Sequence, residues 1–358
     1  MNNYIIRGGY GLGNFGDDAL MLWIITAIKK RDIGAKFYLN CKKSSYIKKY
    51  VDASFDLNST ENDLILIDGG GTIHYSFPID DDNLFIKIWR KKKNLIRYII
   101  GKYKDKSYKY RVKKKIMLGV GFGPFQSKSL NKLENAKKEI TNSNFIMTRD
   151  ESSYDFAKGI NDNTILGCDL CYLDPPGDIF LNNSIKDNHH IAFILRDWSY
   201  GTNSDEYFNS AYIAAVNLRN NGFDVDFISF SVEADKLVNE KLISLGEKVI
   251  IWDPNNISFQ SFINVLNQFR IIISSRFHGL IFATLLGIPS ISIGIEDKLL
   301  LSKNNSPSII WDPSLNNVDD ILVMVKTIIS HYNSYHLKTT KFSFEKNISI
   351  ESIFDDIF

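Results

Sequence analysis

A chain of 358 residues, 44% hydrophobic and 23% charged, has an ordinary globular balance and enough apolar material for two domains of about 150 to 180 residues each. No run approaches the ~18 consecutive apolar residues of a membrane-spanning helix. The opening MNNYIIRGGYGLGNFGDD lacks the charged and apolar regions of a signal peptide, so the expected location is the cytoplasm. Net charge is only +2, but residues 90–115 hold thirteen Lys or Arg against one acid, Asp105, leaving about −10 on the remainder. Leu95, Ile96, Tyr98, Ile99 and Ile100 interrupt this basic block. Two readings stay open for it: an amphipathic segment resting on anionic lipid at the inner face of the plasma membrane, or a solvated helix and loop. The three cysteines, Cys41, Cys168 and Cys171, read as unpaired thiols of a reducing compartment, since the C-x-x-C spacing of the latter two has no second pair and follows an apolar strand.

Strand-like and helix-like segments alternate from the start. Asn3–Gly8 reads as a strand and Ala19–Arg31 as a helix. Strands follow at Lys36–Leu39, Leu64–Ile67, Ile116–Val120 and Phe145–Thr148, with helices at Ser129–Ile140 and Glu151–Lys158. Each apolar run is brief and ends in polar or turn residues, as buried parallel strands do. Residues 174–190 (DPPGDIFLNNSIKDNHH) lose that periodicity and form the best linker. The rhythm then restarts with strands at His190–Leu195, Val225–Ser229, Val249–Trp252, Ile271–Ser274 and Ser290–Ile293. Helices are expected at Ser204–Asn221, Glu233–Leu245, Ser258–Phe269, Leu280–Leu286 and Val318–His331. The fold class this predicts is α/β, with two Rossmann-like doubly wound domains facing each other across a cleft. The domains are drawn as 1–180 (acceptor side, with a basic insertion at 90–115), 188–330 (donor side) and a C-terminal tail at 331–358.

The chemistry-bearing motifs fall at strand ends, where such folds bind ligands. Gly8 to Ala19 is glycine-rich and enters a helix. Gly13, Asn14 and Gly16 are expected to approach a ligand through the backbone, Asp17 to orient or deprotonate a sugar hydroxyl or else cap the helix, and Asp18 to cap it. Asp68-Gly69-Gly70-Gly71-Thr72 and Gly119-Val120-Gly121-Phe122-Gly123-Pro124 repeat the theme, with Gly70, Gly71 and Gly121 as backbone contacts. Arg149 ends a strand and presents a planar fork suited to a carboxylate or phosphate, or else pairs with Asp150 and Glu151. In Ser274-Ser275-Arg276-Phe277-His278-Gly279, His278 stands at a helix N-terminus as a candidate general acid and base, flanked by Arg276 and the later Lys298. No metal-ligand cluster is evident in the sequence.

These segments, in this order, resemble the polysaccharide pyruvyltransferase family. The resemblance rests on Gly13–Ala19, Gly69–Gly71, Gly121–Pro124, Arg149–Ser152, Asp169, Arg276–Gly279, Gly287–Pro289 and Lys298. It implies a GT-B-like fold, phosphoenolpyruvate as donor, two hydroxyls of a surface-polysaccharide sugar or its lipid-linked precursor as acceptor, and no cofactor beyond that co-substrate. It further implies that Arg149 and Lys298 bind the donor, with Arg276 beside them, and that His278 shuttles the proton, with Asp17 on the acceptor side. No nucleic acid partner is expected. The rival expectation is a GT-B glycosyltransferase using a nucleotide sugar, because one architecture hosts both chemistries.

Overall fold

The computed structural model describes residues 2–55, 63–73, 112–125, 130–198, 204–300, 302–313, 315 and 317–358, save the side chains of Ser204, Asp205, Asp297, Lys298 and Ser302. Residues 90–111 of the basic block therefore lie outside the described part. Its last residues, Val112 to Lys115, belong to a strand and not to an insertion. Lys115 is buried there and pairs with Glu139 and Asp68.

Two parallel sheets carry the molecule. The first contains β1 (Asn3–Arg7), β2 (Lys36–Asn40), β3 (Leu64–Gly69), β4 (Thr72–Ile73), β5 (Val112–Phe122), β6 (Phe145–Thr148) and β7 (Thr164–Leu166). Its order is β2-β1-β3-β5-β6-β7, with β4 pairing only with β5. The second contains β8 (His190–Ile194), β9 (Asp224–Ser229), β10 (Val249–Ile251), β11 (Ile271–Ser274), β12 (Ser290–Ile293) and β13 (Ile309–Trp311), in the order β10-β9-β8-β11-β12-β13. Central strands such as β11 are buried at every residue, because helices cover both faces. Strand order reverses between β1 and β3 in the first sheet and between β8 and β11 in the second. At such switch points the loops beyond the strands' carboxyl ends diverge and leave a crevice.

The helices are α1 (Phe15–Arg31), α2 (Leu130–Thr141), α3 (Glu151–Lys158), α4 (Ser204–Asn220), α5 (Lys236–Ser244), α6 (Phe259–Leu266), α7 (Phe277–Leu285), the short α8 (Asp297–Leu300), α9 (Asp319–Ser330) and α10 (Tyr332–Ile357). Two of them, α1 and α7, are apolar around almost their whole circumference, and a helix of that kind must be covered on all sides. Each lies between its own sheet and the other half. Phe15 at the head of α1 sits among Phe230, Trp252, Phe259, Phe262 and Phe282 of the second half, at centroid distances of 4.6 to 5.4 Å. Its backbone N–H donates to Phe230 O at 2.9 Å, and Asn14 bridges to Ser231. A single apolar core thus runs through the junction.

The stretch set apart as a C-terminal tail is the 26-residue helix α10. It crosses back to the first half, where Arg31 on α1 binds Glu351 at 2.7 Å and Asp355 at 2.6 Å, and Phe358 packs edge-on against Tyr4.

Candidate active site

The site grows from the two switch points. After β11 the backbone turns at Ser275 and Arg276 and enters α7 at Phe277, earlier than the expected Leu280, so His278 belongs to the first turn. Its ring lies against α1: a Cβ added at Gly16 would overlap the imidazole around Nδ1 and stand 2.5 Å from His278 Cβ. On its other side, His278 Nε2 faces Asp169 Oδ2 at 3.6 Å. Asp169 follows β7, is fully buried, and accepts the Cys171 N–H at 3.0 Å through Oδ1. Its Oδ2 also lies 4.0 Å from Arg149 Nη1.

Arg149 ends β6, is 3% exposed, donates to Thr72 Oγ1 at 2.5 Å, and lays its guanidinium 4.6 Å over the ring of Phe277. Gly121 makes room for it, since a Cβ there would come within 3.0 Å of Arg149 Nε. Asn305, from the second half, clamps the group: its Nδ2 donates to Arg149 O at 2.8 Å while its Oδ1 accepts the Asp169 N–H at 3.0 Å. Arg149, Asp169 and His278 are therefore brought together from both halves. Burial alone would raise the Asp169 carboxyl, but His278, Arg149 and the Cys171 N–H outweigh it and hold it below the usual range.

The expected residues distribute unevenly around this centre. Asp17 lies in the first turn of α1, partly exposed, with no hydrogen bond to any described residue, and its charge reaches Arg276. Arg276 is buried and spends one edge of its fork on Asp235, donating from Nε at 3.0 Å and from Nη2. Its Nη1 engages no described residue, so any anion it receives must approach that edge alone. Lys298 belongs to α8, and its side chain lies outside the described part.

The glycines act differently from expectation. The N–H of Gly13 goes to Tyr46 Oη at 2.8 Å, that of Gly16 to Asn14 Oδ1 at 3.2 Å, that of Gly70 to Leu118 O at 2.7 Å and that of Gly121 to Gly71 O at 2.9 Å. These donors are committed inside the protein and unavailable to a ligand. Gly16 and Gly121 contribute by lacking a Cβ, whereas Gly71, at φ +76°, has open space where a side chain would be. Asn14 caps α1 through that same bond from Gly16.

Asp18 does not cap the helix. It is fully buried and accepts the Gly11 N–H at 2.8 Å and the Tyr46 hydroxyl at 2.7 Å, which holds the glycine loop in place. Burial pushes its carboxyl up to about 7, against the two hydrogen bonds. The folded state therefore favours the protonated form, and stability from this group is lost as pH rises from the unfolded carboxyl range (about 3.9) through about 7. Asp18→Asn cannot ionise. Its melting temperature relative to the parent protein is expected to rise between about pH 4 and about pH 7 and to level off above that, as calorimetry across a pH series will show.

The sequence offers Asp169 only as a motif match and gives no signal for Thr72, Phe277 or Asn305 as site residues. It also shows no metal-ligand cluster, yet the ligand atoms of Asp169, Cys171 and His278 lie within 4.8 Å of one another. Burial and the neighbouring Asp169 push the Cys171 thiol well up, so a metal bound there would have to displace its proton.

Two Rossmann-like sheets with a site at their junction make this a GT-B fold, and solved structures share it. The UDP complex of Staphylococcus aureus MnaA matches with TM-score 0.56 at 8% identity, covering 95% of this chain and 91% of that one. HepE of Anabaena in complex with UDP-glucose matches with TM-score 0.56 at 9% identity, covering 99% and 98%. A putative UDP-N-acetylglucosamine 2-epimerase of Listeria monocytogenes matches with TM-score 0.54 at 9% identity, covering 95% and 90%. At such identities the likeness shows the fold alone. The curated proteins contain no match. The chain belongs to the polysaccharide pyruvyl transferase family, whose model matches residues 14–297. No helix among the described residues is long and apolar enough to cross a membrane.

Proposed function

We propose that the protein transfers pyruvate from phosphoenolpyruvate to two hydroxyls of one sugar in a surface polysaccharide or its precursor, forming a ketal and releasing phosphate. The observation that supports this most is the buried meeting of Arg149, Asp169 and His278 at the junction of the halves, in a member of this family. Phosphoenolpyruvate brings up to three negative charges, for which guanidinium groups are well suited. Arg149 and the free edge of Arg276 offer such groups in the described site, and we assign Lys298 to the same anion on the motif resemblance alone.

The reaction needs few groups. A proton is added to the donor's methylene carbon while one sugar hydroxyl attacks the adjacent carbon and loses its own proton. The phosphate then leaves with the C–O bonding pair, and the second hydroxyl closes the ring and gives up its proton. One imidazole can serve the first exchange, and Asp17 is free to orient a hydroxyl. We assign the acceptor to the glycan class, lipid-linked or free, and read the basic segment as an attraction toward anionic lipid.

Incubation with phosphoenolpyruvate and candidate glycans is expected to give one phosphate per product and a mass gain of one pyruvic acid less one water. Release of a nucleotide from a sugar nucleotide, with no reaction of phosphoenolpyruvate, would instead identify a glycosyltransferase.

A further inference from the structure

The two inward-facing atoms of the His278–Asp169 pair make no hydrogen bond with any described residue, although Arg149 Nη1 stands 4.0 Å from the carboxylate oxygen. Asp169 Oδ2 and His278 Nε2 are both buried without a hydrogen bond, and each such orphan costs about 1–3 kcal/mol. They face each other at 3.6 Å, too far for a hydrogen bond but closed by a movement of less than an ångström. Hydrogen bonds of catalytic groups are often long before substrate is bound. The other oxygen of Asp169 is taken by the Cys171 N–H, and Asn305 holds its backbone, so the carboxylate is aimed from fixed supports. Nδ1 lies on the opposite edge of the ring, against Gly16 and next to the turn that carries Asp17.

We propose that Asp169 is the positioning residue of His278: it accepts a hydrogen bond from Nε2–H and so leaves Nδ1 as the nitrogen that exchanges protons with the reactants. This rests on the pyruvyl-transfer reading for the reaction it serves, but the pairing itself does not. The charged and titratable neighbours agree with the assignment. Arg149 favours the charged carboxylate, burial keeps Cys171 beside it a thiol, Arg276 is committed to Asp235, and Asp17 follows Gly16, the residue packed on Nδ1. A carboxylate fixing the tautomer of a general base in this way leaves binding in place and acts on the chemical step.

Asp169→Asn preserves the oxygen that accepts the Cys171 N–H, so the local turn is kept, but its amide group would donate toward Nε2. Nitrogen-15 NMR of histidine-labelled protein reads the tautomer without any activity. The parent protein is expected to carry the proton on Nε2 and the variant on Nδ1. In pyruvyl transfer, kcat of the variant is expected to fall roughly 10²–10⁴-fold, with KM for phosphoenolpyruvate within a few-fold. A parent protein protonated on Nδ1, an unchanged kcat in the variant, or one equivalent of zinc in the purified protein that is lost in Asp169→Asn would each overturn the proposal. A parent protein inert toward phosphoenolpyruvate would instead sink the functional reading, and the tautomer would still decide the pairing.

Discussion

His278→Gln is expected to lower kcat for pyruvyl transfer roughly 10²–10⁴-fold, the usual worth of a positioned general acid and base. Gln matches the size of the imidazole and still offers hydrogen bonds, but it cannot take up and return a proton. The fold should survive, since the ring is a small part of a helix whose other residues are apolar and buried. KM for phosphoenolpyruvate should change little, because the anion is assigned to the arginines. Initial rates over a range of donor concentration separate the two parameters. Near-parental kcat in a folded variant would remove His278 from the chemistry.

Gly16→Ala is the second large effect, and it arises from one added methyl group. The new carbon would occupy the space of the His278 ring and crowd its Cβ as well. Rotating the imidazole does not relieve a clash at Cβ, so either α1 retreats from the second half or α7 does. Phe15 resists the first movement, because its ring is buried among five aromatic side chains next to the substituted position. Displacing well-packed groups costs typically 1–3 kcal/mol, and an imidazole out of place by an ångström loses on the order of 10²-fold in rate. We expect a lower melting temperature together with at least that loss of activity. Gly71→Ala is the useful contrast, for space is open at that site and its cost comes from the positive φ alone.

Much of the architecture was legible because buried parallel strands announce themselves as short apolar runs. Ile271–Ser274 and Ser290–Ile293 coincide with β11 and β12. The strands that escaped, β4, β7 and β13, have two or three residues and too little pattern to stand out. Helix α7 starts three residues before the expected Leu280, and Gly279 lies in its first turn. In the structure it permits close packing on β11, where a Cβ would meet Ser274. Helix α10 was missed because its buried positions, Tyr332, Thr339, Ile350 and Phe354, are spread among many polar residues.

At the site, the motifs located the strand ends but not the pairings. The contact of Arg276 with Asp235, and of Asn305 with both Arg149 and Asp169, joins residues far apart in the chain. Nothing local encodes such meetings: the first forms within the second half, and the second only when the two halves dock. The same holds for the glycine N–H groups: the sequence shows that a donor exists and not that a carbonyl or hydroxyl already holds it.

The return of α10 to the first half bears on how the molecule can be taken apart. Residues that come last in the chain complete the surface of those that come first, through Arg31, Glu351 and Asp355. A hybrid enzyme made by exchanging one half at the 174–189 segment therefore has to match the end of α10 to the first half and its start to the second, where Tyr332 Oη donates to Arg270 O at 3.2 Å and His336 Nδ1 meets Gly287 O at 2.7 Å. Cutting the gene at one point yields neither half whole.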